Sequence, residues 1–218
     1  VVQAQIASAQ PGDIRYRNRR LVVLYFDLSA MQPNDLIRAY SSALTYIDSQ
    51  MQPQDLLAVM TFQGGAVRVK HDFTDDRPVL REVITTLIYG NDLNGDGVPD
   101  KPEDTGSAFG QDDAEFNIFN TDRQLSALQT AVAMLRPLPE QKALVYFASG
   151  LRLNGVDNQA QLRATVNAAL RANVAMYPID ARGLVAQAPL GDATRRSSGG
   201  LGMFTGQLAQ AAVGNFQR

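Results

Sequence analysis

The sequence predicts an α/β domain: a doubly wound, mostly parallel sheet with one antiparallel edge strand, interrupted by an acidic insertion. Three observations carry this. Short apolar runs alternate with stretches of helical periodicity along most of the chain, the pattern of strands joined by crossover helices. The runs are near-continuous, as in strands covered on both faces. One segment, directly after Gly64-Gly65, instead alternates apolar and polar residues, which suits an antiparallel edge reached through a tight turn.

Residues 1–14 are small and polar, with Pro11-Gly12, and read as an N-terminal arm. The chain starts at Val1 without an initiator methionine, so it is expected to be a processed product. Arg15 to Arg20 is the only basic run, and it reads as a solvated lead-in to the first strand. Leu21–Phe26 is that strand. Pro33-Asn34-Asp35 opens a helix to about Gln50, with Leu36, Ile37, Tyr40, Leu44 and Ile47 at helical spacing. Asp55–Phe62 is a second buried strand, Ala66–Phe73 the edge strand, and Arg77–Ile88 a helix. Asn91–Asn120 reads as irregular and Thr121–Leu135 as helical, closed by Pro137 and Pro139. Lys142–Ala148 is a strand, Asp157–Arg171 a helix, and Val174–Ile179 the last clear strand. Beyond Asp180 strand character is poor, and Gln207–Val213 supports only a short helix.

Composition narrows the function. A formal net charge of −2 with no clustered basic face argues against nucleic acid. With no cysteine there are no disulfides, thiolate metal sites or thiol nucleophiles. No stretch approaches the ~20 apolar residues of a membrane span. The single histidine, His71, falls on the predicted edge strand and reads as solvent-facing.

The insertion, residues 90–120, holds the most specific local motif. Residues 92–103 match the twelve-residue EF-hand loop at each ligand position. Asp92, Asn94, Asp96 and Asp100 supply side-chain oxygens, Val98 a backbone carbonyl, Gly97 the sharp turn and Glu103 the bidentate carboxylate. Calcium takes six to eight oxygens, which this spacing delivers. Pro99 and Pro102 inside the loop point to a structural staple rather than a switch. The segment from Asp92 to Glu115 carries eight carboxylates against one lysine and would repel itself without a cation. Phe109, Phe116 and Phe119 are expected to anchor the insertion to the domain.

A second carboxylate site is expected where the first strand ends in Asp27-Leu28-Ser29. Ligands of open α/β sheets bind in the crevice past the carboxyl ends of the strands. A carboxylate and a hydroxyl two residues apart there both offer oxygen to a hard cation.

Four separated segments then resemble one family in order: Arg19–Met31, Phe116–Asp122, Lys142–Gly150 and Tyr177–Leu184. Residues 15–205 are similar to a von Willebrand factor type A domain, most of all to bacterial von Willebrand factor A-related proteins inferred to be exported; residues 206–218 form a tail. The resemblance implies a Rossmann-like fold and a secreted, periplasmic or cell-surface setting. It also implies a non-enzymatic adhesion module that meets a protein partner through an acidic side chain, over Mg2+ or Mn2+ in a metal-ion-dependent adhesion site. Asp27 and Ser29 match the first two ligands of that site, and Thr121 is the candidate for the threonine. Met31 replaces the second serine, and Ser149-Gly150 stands where the third-loop aspartate belongs, so the site is degenerate. The family normally adds a further helix and strand after Asp180-Ala181-Arg182; either the sequence is cut short or the sheet lacks its final strand, and the latter would leave an edge open to self-association.

Two other readings compete. In one, the chain is a purely structural or self-assembling surface module with no metal in the crevice. In the other, it is a hydrolase on a Rossmann-like sheet. Against the latter, the loop after the first strand has no glycine for a dinucleotide, and Ser29 occupies the place of a phosphatase's second aspartate.

Overall fold

The computed structural model describes residues 5–7, 15–90, 114–150, 155–183, 187–188 and 191–192. The chain divides into two compact units, Val1–Gly183 and Leu184–Arg218. The first contains β1 (Arg20–Asp27), α1 (Pro33–Ser49), β2 (Asp55–Gln63), β3 (Ala66–Thr74), α2 (Arg77–Gly90), α3 (Ala114–Leu135), β4 (Lys142–Ala148), α4 (Gly155–Arg171) and β5 (Val174–Asp180). In the second, β6 (Gln187–Ala188) and β7 (Gly191–Asp192) form a small antiparallel pair, where strand character was not expected.

The five strands of the first unit lie in the order β3-β2-β1-β4-β5. All pairings are parallel except β2 with β3. This is the expected doubly wound, mostly parallel arrangement, antiparallel edge included. The two glycines of the β2–β3 turn both have positive φ, Gly64 at 60° and Gly65 at 79°, the geometry of a tight hairpin.

Alternation along β1 sorts the core into two layers. Leu21, Val23 and Tyr25 pack with Leu125, Leu128 and Val132 of α3 and Ala169 of α4. Val22, Leu24 and Phe26 pack with Leu36, Tyr40 and Ile47 of α1 and Leu80 and Ile84 of α2. Both faces of β1 are therefore covered, which is why its sequence is apolar at every position from Leu21 to Phe26. At the amino end, Arg20 and Asp55 open β1 and β2 in register. They form a bidentate pair, Nε to Oδ1 and Nη2 to Oδ2, both at 2.6 Å.

One expectation is corrected and two gain detail. The basic lead-in is largely exposed, as expected, and its arginines are also ion-paired: Arg15 reaches Asp72, Arg19 reaches Asp75 and Arg20 reaches Asp55. The arm touches the domain at its described residues. Ile6 packs against the core, and the Ala7 carbonyl accepts the Tyr16 hydroxyl at 3.1 Å. Most consequentially, the helix expected from Thr121 begins at Ala114, so residues 114–120 of the insertion are not irregular. Extending an existing helix gains about one hydrogen bond per residue fixed and needs no new nucleus. Asn158 of α4 also ties this turn down, donating to the Ile118 carbonyl at 3.3 Å and to Asp122 Oδ1 at 2.7 Å.

Among the described residues the large sheet ends at β5. The expectation about a missing final strand, the proposed short helix 207–213 and residues 91–113 of the insertion all lie outside the described residues.

Candidate functional site

Asp27 closes β1 and continues the side of the strand that carries Val23 and Tyr25, so its carboxyl points toward α3 rather than into water. It is 1% exposed. Oδ1 accepts the Ser29 backbone N–H at 3.1 Å and the Ser29 hydroxyl at 2.5 Å. Oδ2 accepts the Tyr146 hydroxyl at 2.8 Å, and the Gln124 amide of α3 favours the charged form of the carboxyl. The structure thus brings Asp27 and Ser29 together as expected. Thr121 is buried on α3 one turn before Gln124, so the helix that caps Asp27 also carries the third candidate.

Tyr146 and Gln124 were missed. Tyr146 reads as a core aromatic, and its ring does pack in the core with Tyr25, centroids 5.7 Å apart. Only the β1–β4 register, Tyr25 opposite Tyr146, reveals that its hydroxyl reaches the end of β1. Gln124 sits among apolar positions of α3; a glutamine 5% exposed on the core face is the signal that could have found it, since a buried amide needs partners. The Tyr25 hydroxyl lies on the same side, buried and without a hydrogen-bond partner among the described residues.

The electrostatics follow from burial. Burial raises the Asp27 pKa, opposed by the hydrogen bonds from Ser29, Tyr146 and Gln124. Burial first, and then the nearby Asp27, pushes the Tyr146 and Tyr25 hydroxyls up. Both phenols therefore stay protonated at neutral pH, and Tyr146 donates to Asp27.

A second polar group lies at the carboxyl ends of β4 and β5. The Ser149 hydroxyl, just past β4, donates to Asp35 Oδ2 of α1 at 2.6 Å. Arg38 bonds the other Asp35 oxygen and sends Nε to the Ala181 carbonyl at 2.8 Å. Arg182 grips Asp180 through Nε, 3.0 Å from Oδ1, and Nη2, 2.6 Å from Oδ2. Asp180 first, with Asp35 adding to it, raises the Arg182 pKa, and Arg182 lowers that of Asp180.

The donor set does not suit the divalent cation implied for an adhesion-type site. A carboxylate has about four lone-pair positions, and Asp27 already receives three hydrogen bonds from Ser29 and Tyr146. Met31 is buried at 1% exposure and offers no hard oxygen. Ser149 faces Asp35 instead of Asp27. Among the described residues no group of three or more His, Cys, Asp or Glu is placed to hold a metal. The calcium-type loop, with Asp92, Asn94, Asp96, Val98, Asp100 and Glu103, lies outside the described residues, as do Phe109 and the side chain of Phe116. Phe119 is 58% exposed beneath the Arg123 guanidinium, 5.6 Å from its centroid, and so is not buried as an anchor. His71 lies mid-strand on β3, partly buried, with Nδ1 2.6 Å from the Asp72 carbonyl oxygen.

No family model matches the chain, and no curated protein does. Among solved structures, it is similar to an aerotolerance-related membrane protein from Bacteroides fragilis NCTC 9343 bearing multiple mutations to serine, at 14% identity and a TM-score of 0.45 over 79% of each chain. It is also similar to the N-terminal domain of TFIIH p34, at 10% identity and a TM-score of 0.40, over 76% of this chain and 82% of that one. No described helix is long and apolar enough to cross a membrane.

Proposed function

We propose that this chain is a non-enzymatic protein-binding module whose working face is the carboxyl end of its sheet. One observation carries the reading. The segments after β1, β4 and β5 converge with the start of α1 and bring Ser29, Asp35, Ser149, Asp180 and Arg182 to one end of the sheet. That is where open α/β sheets take their ligands. The charged groups there are held by hydrogen bonds, so the face is preorganised and little side-chain entropy is lost on docking.

The calcium-type loop 92–103 supports a secreted, periplasmic or cell-surface setting, where a calcium staple would be occupied. Its role in this reading is that of a structural staple. Differential affinity capture tests the proposal. A partner held by the wild type should be lost with Ser149→Arg at the crevice and retained with Arg68→Glu on β3. Identical capture by both variants would remove the crevice from consideration.

A self-assembling surface module is the second reading, and β5 favours it. Tyr177 is 55% exposed and Ile179 41% exposed on this strand, which has no outer neighbour among the described residues. Pro178 between them lacks an N–H and so weakens strand addition. A monomeric mass in light scattering at high protein concentration would exclude this second reading.

A further inference from the structure

Asp27 spends its acceptor capacity on the protein. The Ser29 N–H and hydroxyl and the Tyr146 hydroxyl all bond to it. A cation entering here would have to displace these donors inside a buried site, where each orphaned group is costly. The chain meanwhile places a positive charge of its own in the crevice. Gly150, two residues past β4, has φ +85°, and a Cβ there would fall 2.6 Å from Arg182 Nη2 and 2.9 Å from Cζ. The guanidinium therefore lies against the backbone of the very loop that lacks the expected aspartate. Arg38 enters the same neighbourhood from α1. It is linked to the β5 end through the Ala181 carbonyl and to Arg182 through the field of Asp35. Both side chains are about half exposed, Arg38 at 49% and Arg182 at 44%.

We infer that the crevice works without a divalent cation, and that the Arg182 guanidinium, with Arg38, is the positive group that a carboxylate of the protein partner meets there. This rests on the protein-binding reading above. The guanidinium fork matches the two oxygens of a carboxylate. Each arginine already makes such a bond within the chain, to Asp180 and to Asp35, and its Nη1 has no partner among the described residues. A singly charged carboxylate also suits a site that keeps two aspartates better than a doubly charged phosphate does.

The full chain carrying Asp92→Asn and Asp96→Asn, so that the calcium-type loop does not compete, is titrated with Mn2+ while its amide resonances are followed. No selective broadening of Ser29 and Thr121 is expected. Broadening that is lost on Ser29→Ala would overturn the inference. The same protein is titrated with N-acetylglutamate α-amide and, as the neutral control, N-acetylglutamine amide. The Nε–Hε resonances of Arg182 and Arg38 should shift saturably with the first only, and Arg182→Gln should abolish the shift. Equal shifts with both compounds, or none, would also overturn it. Partner capture separates the two levels. Capture abolished by EDTA in this loop-neutralised protein but intact in Arg182→Glu would sink the inference alone. Capture insensitive to every crevice substitution would sink the underlying reading.

Discussion

The Tyr146 hydroxyl donates to Asp27 Oδ2 at 2.8 Å across the seam between β4 and β1, and both side chains are buried. The bond satisfies the one carboxylate that the end of β1 places inside the protein. Tyr146→Phe removes the donor and leaves the ring. A hydrogen bond to a charged group contributes about 1.5–3 kcal/mol, and a loss of that order is expected in urea unfolding. An unchanged urea midpoint would show that the carboxyl has other means of satisfaction.

Asp27 also sets a pH dependence. Burial raises its folded-state pKa above the unfolded value, so between those two values the folded state binds the extra proton. Stability therefore falls as pH rises through that window, from about 4 upward. Asp27→Asn removes this slope, so the stability of the variant relative to wild type should improve with pH across the window. Asp180 behaves oppositely. Arg182 lowers its pKa, so its contribution is present above about 4 and fades below. Asp180→Asn should reduce the acid loss. Chemical denaturation at a series of pH values checks both signs.

Gly150 and Gly64 separate crowding from backbone strain. Both have positive φ, 85° and 60°, so alanine at either position incurs about 1–2 kcal/mol of left-handed strain. A Cβ at Gly64 meets nothing within 4 Å, whereas one at Gly150 runs into the guanidinium that Asp180 holds. Gly150→Ala is expected to destabilise more than Gly64→Ala, and Arg182→Ala in the same chain should recover the difference. Equal costs in thermal melts would mean that Arg182 moves aside freely.

Lys142 is 0% exposed at the start of β4, with its ammonium on the Leu138 carbonyl. Burial lowers its pKa, so the folded state carries a penalty for the charge at neutral pH. That penalty is relieved as pH climbs from the folded-state value toward about 10.4. Any advantage of Lys142→Met over wild type should accordingly be largest at neutral pH and shrink at pH values near 10. A gap that widens with pH would reverse the assignment.

Calcium is the last test. Titration of the chelated protein should raise its melting midpoint by mass action, and Asp96→Asn with Glu103→Gln should remove the rise. Magnesium should do less, because it demands tighter octahedral geometry. A midpoint indifferent to calcium would strip the loop of its proposed role.

Most of the architecture was legible because its signals are local. Apolar runs such as Leu21–Phe26 and Leu144–Phe147, the helical spacing after Pro33 and the Gly64-Gly65 turn each lie within one short window. Helix α3 was misjudged at its start for the converse reason. Residues 114–120 look irregular by composition, and the contact from Asn158 comes from 40 residues away in the case of Ile118.

The site divides along the same line. Asp27 and Ser29 are neighbours in the chain, and their pairing could be read from Asp-x-Ser at a strand end. Tyr146 joins them from 119 residues away, through a strand pairing that periodicity cannot specify. Gln124 joins through the packing of α3 on the same face. Gly150 and Arg182 meet only because β4 and β5 lie side by side and in parallel. Chain-local patterns record which surfaces must be buried. The sheet order decides which distant polar groups are buried together, and with it whether a buried carboxylate is left open to a cation or satisfied by the chain's own donors.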